Sequence, residues 1–397
     1  MEPIYITGSG VVSAIGIGKE ATLASLLAGK SGVGKMKYLV SCHTELPVGE
    51  VQLSNEEMMK TLGMTSSPAY SRTALIGCLA LREALAEAHL DGMLDEVHFI
   101  SATTVGGMDR RELFHAEEKD CDQEHALIAT HNCASCSEMI AGYFGDFASV
   151  ATVSTACSSA TNAIITGANM LRCGLADIVV VGGSECLSKF HLNGFNALMI
   201  LDHQPCRPFD KDREGLNLGE GAAYLVMETA ASVRKRGVRP HYVLSGYANA
   251  CDAYHQTASS PEGTGAFLAM REALKMAGLG TCDIQYINAH GTGTPNNDES
   301  ESRALKRLFN NGVPPVSSTK SFTGHTTSAS GSIEAVICLL ALEHQFLPPS
   351  LNWHTPMDDG IMPVTDTHAA SRIEHVLSNA FGFGGNDSSL VFSKCED

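Results

Sequence analysis

Three side chains of types that act in nucleophilic catalysis each follow an apolar segment and enter a turn rich in glycine or serine. The first is Cys157, in the segment ATVSTACSSATNAIITGANML, where an apolar strand through Val153 leads into small residues and then a helix. We expect that helix to begin around Cys157, so that the partial positive charge at its end favours thiolate over thiol. Such a setting surrounds structural cysteines more often than catalytic ones, so the interpretation depends on partners elsewhere in the chain.

Two histidines occupy similar junctions. His290 follows an apolar run in INAHGTGTPNNDESE and enters a loop whose glycines and Pro295 exclude a regular helix or strand. Taken alone, it could equally be a loop histidine bonded to nearby backbone. His325 lies with Lys320 and Glu334 in SSTKSFTGHTTSASGSIEAV, around a turn that leads into an apolar helix. One thiol and two imidazoles at three such junctions predict a nucleophile with acid/base or oxyanion groups.

A fourth segment, LSNAFGFGGNDSSLVFS, places Phe383 among three glycines between two apolar runs. Such a turn can present backbone amides to a developing oxyanion, but it can equally be an ordinary β-hairpin. The segment by itself favours the hairpin.

The composition limits the class of protein. With 397 residues, 44% of them hydrophobic, and 38 glycines, the chain suits a layered α/β enzyme of one or two fused domains. Its formal charge of −17 argues against nucleic acid and anionic membranes as partners. No apolar run approaches the ~20 residues that span a bilayer. Its 13 cysteines form no regular framework, which predicts a reducing, cytoplasmic location.

One cysteine pair, Cys133 and Cys136, has the CxxC spacing and follows His131. No second pair lies at a suitable distance, so we interpret the spacing as coincidental and predict no metal site.

Apolar, β-rich runs alternate with stretches of helical period, which predicts a layered α/β fold. The predicted strands include residues 4–6, 97–100, 178–181, 222–227 and Tyr286–Asn288. Two stretches rich in alanine and leucine, 73–89 and 331–345, predict helices buried between layers. The polar, basic segment 231–242 is predicted to connect two halves, residues 1–240 and 241–397.

In this order, the segments resemble the β-ketoacyl-acyl-carrier-protein synthases of the thiolase superfamily, in particular the elongating Cys-His-His type of fatty-acid and polyketide systems. The resemblance covers nearly the whole chain and rests on ITGSGVVSAIG, TACSSA, RPFDKDREGLNLGEGAAYLVME, DAYHQTASSPEG, NAHGTGTPNND, KSFTGH and SNAFGFGGND. It implies a thiolase-like α/β fold, with two similar halves in a layered α-β-α-β-α arrangement.

The resemblance also implies an activity and partners. The reaction would be decarboxylative Claisen condensation of an acyl group with malonyl-acyl carrier protein to give 3-oxoacyl-acyl carrier protein, in fatty-acid, polyketide or aryl-polyene biosynthesis. Phosphopantetheine would arrive on the acyl carrier protein, so no resident cofactor is expected. The family forms dimers, which implies a homodimer here, or a heterodimer with a related ketosynthase.

The resemblance implies catalytic roles for five residues. Cys157 matches the nucleophile that takes the acyl group. His290 and His325 match the pair that promotes decarboxylation of the malonyl unit and then stabilises the enolate. Lys320 and Glu334 match a pair that orders the histidine site electrostatically.

Five further positions match binding groups of the family. The amides of Cys157 and Phe383 match the oxyanion hole, and Phe383 also matches a gating aromatic residue. Thr292 and Thr294 match threonines that bind the phosphopantetheine arm. Phe195 and Val105 match positions that line the acyl pocket.

Two other classes stay open on the residues alone. A supporting subunit of a ketosynthase heterodimer would share the fold but lack the nucleophile, and Cys157 argues against it. A thiolase-like enzyme acting on coenzyme A thioesters usually carries a second cysteine in place of one histidine, and His325 argues against that class.

The chain departs from the family pattern near the predicted site. Ser328 and Ser330 stand where glycine and alanine are usual after the second histidine, and Asn386–Asp387 stand where threonine–asparagine is usual. These changes leave every predicted catalytic group in place, but they affect the pocket and so the choice of substrate.

The positions that are basic for carrier docking in housekeeping members match Pro68, Ala69 and Met199 here. An acidic carrier needs some positive surface, so the docking residues are predicted elsewhere. The candidates are Arg72, Arg110, Arg111 and the basic segment 234–239.

Overall fold

The computed structural model describes residues 2–65, 70–90, 92–116, 130, 132–310, 312–369 and 372–395. The α-helices are α1 (Lys19–Leu27), α2 (Asn55–Thr61), α3 (Arg72–Ala88), α4 (Met108–Ala116), α5 (Cys133–Phe144), α6 (Ser159–Arg172), α7 (Lys189–Ala197), α8 (Ala230–Arg236), α9 (Thr264–Ala277), α10 (Pro295–Phe309), α11 (Lys320–Thr323) and α12 (Ser330–His344). The strands are β1 (Ile4–Ser13), β2 (Gly16–Ile17), β3 (Val33–Gly34), β4 (Val48–Gly49), β5 (Val97–Ala102), β6 (Ser149–Val153), β7 (Ile178–Glu185), β8 (Gly221–Thr229), β9 (Tyr242–Cys251), β10 (Tyr286–Asn288), β11 (Val316–Ser317), β12 (Phe346–Leu347), β13 (His368–Ala369), β14 (His375–Gly382) and β15 (Asn386–Lys394).

The main sheet consists of two halves with the same connectivity. In the first half, β5 pairs in parallel with β6 and β7, and β8 pairs antiparallel with β7 and β1. In the second half, β10 pairs in parallel with β11 and β14, and β15 pairs antiparallel with β14 and β9. The halves meet where residues 4–6 of β1 pair with residues 242–244 of β9, which makes one continuous sheet. The expected pair of similar α/β halves is therefore present.

Helices cover both faces of each half. The helices α6 and α12 pack against strands of both halves and against each other, so they form the middle layer. Helix α3 packs on the outer face of the first half, and α9 with α10 covers the outer face of the second. This arrangement gives the expected α-β-α-β-α order of layers.

Glycine at equivalent positions allows the outer helices to lie close to the sheet. A Cβ added at Gly8 of β1 would lie 2.4 Å from the carbonyl oxygen of Ala84 in α3. A Cβ added at Gly246 of β9 would lie 2.2 Å from the carbonyl oxygen of Ala273 in α9. Because real Cβ atoms do not approach backbone so closely, both positions require glycine for the same packing reason.

The predicted elements that bear on the site are confirmed. The five predicted strands lie within β1, β5, β7, β8 and β10, and the two predicted helices are α3 and α12, each displaced by one residue. Residues 330–342 of α12 are all buried, as expected for a helix between layers. Segment 231–242 forms most of α8 and the link to β9. The division into domains at residue 240 stays a prediction.

One predicted docking residue is placed differently. Arg72 is only 8% exposed, and its guanidinium forms a bidentate pair with Glu220, with Nη2 2.6 Å from Oε1. It also donates to the carbonyl oxygens of Val51 and Leu53. The expectation that Arg72 meets a carrier protein is therefore wrong, because its charge is used inside the protein.

Arg236 of the basic segment 234–239 is also used inside the protein, because its side chain is 7% exposed and pairs with Glu228, so the docking expectation is wrong for this residue. Pro68 and Ala69 lie outside the described residues, whereas Met199 is 88% exposed. Among the helices that the structure describes, none is long and apolar enough to cross a membrane.

Candidate active site

Cys157 lies in the connection between β6 and α6. The chain reverses direction at Ala156, whose φ of 53° lies in the left-handed region that alanine rarely adopts. Helix α6 begins at Ser159, two residues after Cys157, so the helix is present where it was expected, but Cys157 precedes its first turn. The strained turn directs the thiol away from the helix and into a cavity.

The structure brings Cys157 together with both predicted histidines. Cys157 Sγ lies 3.1 Å from His325 Nε2. The rings of His290 and His325 are 5.4 Å apart between centroids and nearly perpendicular. All three side chains line one cavity of about 320 Å³, and none is more than 5% exposed. A single small ligand in this cavity can therefore touch all three.

A buried ion pair lies directly behind the histidines. Lys320 begins α11, is 1% exposed, and places Nζ 2.5 Å from Glu334 Oε1 of α12. The same ammonium donates to the carbonyl oxygen of His290 at 2.7 Å and lies 3.4 Å from His290 Nδ1. Because an ammonium has only donors, Nδ1 of His290 must accept, which leaves its proton on Nε2.

Both imidazoles are held neutral. Burial lowers the pKa of His290 well below its usual value of 6.5, and the charge of Lys320 lowers it further. The pKa of His325 is also well below its usual value, because of burial, then Lys320, then His191. Neutral imidazoles can accept one proton or donate one hydrogen bond, as enolate chemistry requires.

The thiol is less acidic than its position near a helix end suggests. Burial raises the pKa of Cys157 to about 11, although the charge of Lys320 and the backbone amides of Phe383 and Cys157 lower it in part. The expectation that the helix end alone makes the thiol readily ionised is therefore wrong, since desolvation outweighs the nearby amides. Thiolate formation at neutral pH needs a base, and His325 Nε2 is placed to be that base.

The glycine turn around Phe383 is both a hairpin and a donor site. It connects β14 and β15 as an antiparallel hairpin, with Gly384 and Gly385 at positive φ. The backbone amides of Phe383 and Cys157 both act on the sulfur of Cys157 and lower the pKa of the thiol, and their role as an oxyanion hole stays a prediction. The Phe383 ring stacks on Phe195 at 5.9 Å, and both rings line the cavity.

The other predicted binding residues divide into two groups. Thr292 and Thr294 line the cavity, with their hydroxyl oxygens 2.8 Å apart. Val105 lies buried in the segment after β5 and is not among the described residues that line this cavity. The roles assigned to these positions stay predictions.

The departures from the family pattern sit in hydrogen-bond networks around the site. Asn386 Oδ1 accepts hydrogen bonds from Ser158, next to Cys157, from Asn162 of α6 and from Asn249 of β9. Ser328 donates to the buried carboxylate of Glu185 at 2.6 Å. Burial raises the pKa of Asp387 to about 8, together with the nearby negative charges of Asp252 and Glu301.

Sequence reasoning missed Glu301, which supports the loop that carries His290. Its carboxylate in α10 accepts from the backbone amides of His290 and Gly291 at 2.9 and 2.8 Å. Burial raises the pKa of Glu301 to about 7. Glu301 lies eleven residues after His290, but a loop separates His290 from the helix that begins at Pro295, so the spacing in sequence does not predict the contact.

The CxxC pair contacts neighbouring polar groups. Cys136 Sγ lies 3.3 Å from Ser71 Oγ, and Cys133 Sγ donates to the carbonyl oxygen of Thr104. His131 lies outside the described residues, so the absence of a metal at this pair stays a prediction.

Comparison with known proteins gives matches along the chain. Residues 1–232 match the beta-ketoacyl synthase amino-terminal domain, and residues 241–354 match its carboxyl-terminal domain. A 3-oxoacyl-acyl-carrier-protein synthase 2 of Staphylococcus aureus (strain COL) is 32% identical over 416 residues, which cover 99% of this chain and 98% of that protein.

Solved structures also match over the full length. The ishigamide ketosynthase/chain length factor superposes with a TM-score of 0.92 at 30% identity, covering all of both chains. A ketosynthase (ApeO) in complex with its chain length factor (ApeC) from Xenorhabdus doucetiae has a TM-score of 0.87 at 30% identity, covering 99% of this chain and 98% of that one.

The protonation state of Cys157 predicts its reactivity. Because the pKa of the thiol is raised to about 11, the thiolate fraction should increase about tenfold for each pH unit between roughly pH 7 and pH 10. Iodoacetamide labelling of Cys157, followed by mass spectrometry, should show this increase without a plateau. A Cys157→Ser variant identifies the labelled peptide, and a labelling rate already constant below about pH 8 would contradict the assignment.

Proposed function

The chain belongs to the β-ketoacyl synthase family, and we propose that it catalyses decarboxylative Claisen condensation on acyl-carrier thioesters. An acyl group would move from one carrier protein to Cys157, releasing the carrier thiol. A malonyl group on a second carrier would then lose carbon dioxide, and the resulting carbanion would attack the acyl-Cys157 thioester. The products are 3-oxoacyl-acyl carrier protein and the free thiol of Cys157.

One observation carries the proposal: a buried thiol touches a neutral imidazole, with a second neutral imidazole in the same cavity. A carbanion formed by loss of carbon dioxide is stabilised by preorganised donors in a site without bulk water, more than by a strong base. The pocket supplies such donors because burial and Lys320 keep both histidines uncharged.

Acyl transfer uses the thiol, one histidine and two amides. His325 Nε2, 3.1 Å from the sulfur, takes the thiol proton as Cys157 attacks the incoming thioester. The amides of Cys157 and Phe383 donate to the oxyanion of the tetrahedral intermediate. The leaving thiolate of the carrier then takes the proton from His325.

Condensation uses both histidines as donors. His290 already carries its proton on Nε2, since Lys320 occupies the side of Nδ1. A malonyl carbonyl oxygen between the two rings would accept from both imidazoles as the carboxylate leaves. The enolate oxygen is then held by two neutral donors, and the carbanion carbon attacks the acyl-Cys157 carbonyl. The C–S bond to Cys157 breaks, and the released thiolate takes a proton from the solvent to give the free thiol.

The carrier protein brings the substrate's flexible arm, so the reaction needs no resident cofactor. Thr292 and Thr294 line the same cavity as Cys157 and can bind the amides of a phosphopantetheine arm through their hydroxyls. The names of the relatives support carrier-bound substrates, since the Staphylococcus aureus protein is a 3-oxoacyl-acyl-carrier-protein synthase.

The pathway in which the chain acts is open between two kinds of biosynthesis. The chain is 32% identical to a 3-oxoacyl-acyl-carrier-protein synthase and 30% identical to the ishigamide ketosynthase/chain length factor, so sequence identity favours neither fatty-acid nor specialised polyketide synthesis. A panel of saturated and polyunsaturated acyl carriers separates them by relative rate. The cytoplasm as the compartment stays a prediction, which cell fractionation would test.

The condensation mechanism predicts separate effects for the nucleophile and the histidines. Incubation with an acyl carrier thioester should add one acyl group to Cys157, and Cys157→Ala should abolish this adduct in intact-protein mass spectrometry. His290→Ala and His325→Ala should each slow carbon dioxide release from malonyl carrier at least ~100-fold, because each removes an enolate donor.

Matched controls separate these effects from misfolding. Cys251→Ala removes an exposed thiol and His344→Ala an exposed imidazole, and both should keep near-normal rates. Acylation of a residue other than Cys157, or full decarboxylation in both histidine variants, would overturn the proposed function.

We also propose that the chain forms a homodimer through β6. This strand ends the main sheet, and in the described part of the chain no strand pairs with its outer edge. Residues 149–151 of β6 are exposed, and Val150 presents 38% of its surface. An unpaired edge with an exposed β-branched residue favours pairing with a second copy across a twofold axis.

The dimer proposal predicts a mass and a way to change it. Light scattering should give twice the chain mass of 42.0 kDa. Val150→Lys should give a monomer, because it would place two positive charges opposite each other at the proposed twofold axis. The control Met362→Lys changes a residue that is 70% exposed elsewhere on the protein, and it should stay dimeric. A wild-type monomer that dimerises only with a related ketosynthase chain would contradict the homodimer and favour the heterodimer.

A further inference from the structure

The two active-site histidines differ in what holds their second nitrogen. Nδ1 of His290 faces the ammonium of Lys320, which can only donate. Nδ1 of His325 lies 3.0 Å from Ser330 Oγ, the one hydrogen-bond partner of this atom among the described residues. A hydroxyl can donate or accept, so it does not fix the position of the proton on His325 as Lys320 does on His290.

Ser330 belongs to a buried chain of polar groups that ends at the nucleophile. Its hydroxyl lies 3.1 Å from Thr326 Oγ1 and 3.0 Å from His325 Nδ1, and the opposite nitrogen of that ring faces Cys157 Sγ. Thr326 is 1% exposed and Ser330 2% exposed, so bulk water does not compete for these bonds. Rotation of the two hydroxyl hydrogens lets the Ser330 and Thr326 part of this chain adapt to either tautomer, while the ring proton itself moves by gain of a proton from the solvent at one nitrogen of His325 and loss of a proton at the other.

Acyl transfer and condensation need opposite directions of the hydrogen bond between His325 Nδ1 and Ser330 Oγ. During acyl transfer, Nε2 must be free to accept the thiol proton, so Nδ1 carries the proton and donates to Ser330. During decarboxylation, Nε2 must donate to the enolate oxygen, so Nδ1 is unprotonated and accepts from Ser330. A backbone amide in the place of the Ser330 hydroxyl could only donate to Nδ1, so it would support only the tautomer with the proton on Nε2. A carbonyl there could only accept, so it would support only the tautomer with the proton on Nδ1.

We propose that Ser330 is a positioning residue that stabilises both neutral tautomers of His325, which allows one imidazole to act as base in acyl transfer and as donor in condensation. This inference rests on the proposed function of the same pocket. The position usually carries alanine in the family that the sequence resembles, so the serine is a property of this chain and not of the shared mechanism.

Replacing Ser330 by alanine should affect the two steps unequally. Without the hydroxyl, a proton on Nδ1 becomes a buried donor with no partner, which costs more than an unpaired acceptor. The tautomer with the proton on Nε2 should then dominate. Acyl transfer to Cys157, which needs Nε2 as acceptor, should slow about tenfold, whereas decarboxylation should change about threefold or less.

The experiment measures both half-reactions in single turnovers and the state of the ring directly. Transfer is followed as acyl-Cys157 by mass spectrometry, and decarboxylation as carbon dioxide released from malonyl carrier. The ¹⁵N chemical shifts of His325, assigned with a His325→Asn variant, report which nitrogen carries the proton. Ser330→Ala should move these shifts toward the Nε2–H form, and Ser330→Thr should restore both the shifts and the transfer rate.

Charged and titratable groups around the ring must stay in place for this comparison. His325 faces Cys157 of the nucleophile turn, His290 of the loop before α10, Lys320 of α11 and His191 of α7. None of them is changed in the variants, so the pH dependence of acyl transfer in Ser330→Ala reports the tautomer of His325. The plot of acyl-transfer rate against pH for Ser330→Ala should have the same shape as that of the wild type, with a lower rate at every pH.

Controls make each outcome decisive. Ser332→Ala removes a buried hydroxyl of the same helix that, among the described residues, donates to the carbonyl oxygen of Ala329, and it should leave both half-reactions unchanged. If Ser330→Ala does not fold, Thr326→Val takes its place, because it keeps Ser330 but removes the second hydrogen-bond partner of the Ser330 hydroxyl. This variant should move the ¹⁵N shifts of His325 in the same direction by a smaller amount.

Three results would separate failure of this inference from failure of the proposed function. If wild-type Cys157 is acylated but Ser330→Ala has normal shifts and rates, the positioning role is wrong and the proposed function stands. Equal slowing of both half-reactions in Ser330→Ala, without rescue by threonine, also overturns it. If wild-type Cys157 is never acylated, the proposed function fails, while the ¹⁵N shifts still test whether Ser330 sets the tautomer.

Discussion

The site depends on one buried positive charge. Lys320 lies between the two halves of the chain, paired with Glu334 and bonded to the backbone of the loop that carries His290. Its ammonium makes protonation of both histidines less favourable and ionisation of Cys157 more favourable. An uncompensated charge at this depth would cost several kcal/mol, so Lys320 and Glu334 must be present together. Together with burial, which has the larger effect on the pKa values, the same pair therefore sets the geometry and the protonation of the pocket.

The fold explains why these groups meet. The middle layer consists of α6 and α12, one from each half, and each begins next to the cavity. The strained turn at Ala156 precedes α6 and carries Cys157, while the turn before α12 carries His325. The strands β10 and β14 end nearby and deliver His290 and the Phe383 turn. The reacting groups thus lie on short turns at the ends of sheet strands and at the beginnings of the middle-layer helices.

The sequence predicted the strands, the buried helices and the three reacting side chains, because periodicity and motif order are local properties of the chain. It did not predict the protonation of Cys157, since the helix effect it used is local whereas desolvation depends on packing from several elements. Arg72 was misplaced for a similar reason, because its partner Glu220 is distant in sequence. Glu301 was overlooked because a loop lies between His290 and the helix that carries Glu301, so no periodic pattern relates the two residues. The common connectivity of the two halves became visible only from strand pairing.

The most direct test of this account is a titration of the ¹⁵N chemical shifts of His290 and His325 in the unliganded protein from about pH 8 down to about pH 5. A buried ammonium beside two desolvated rings predicts that both imidazoles keep the shifts of neutral rings over this whole range. Protonation of either ring with a midpoint near the ordinary histidine value of 6.5 would show that burial and Lys320 do not hold the rings neutral, and would contradict the account.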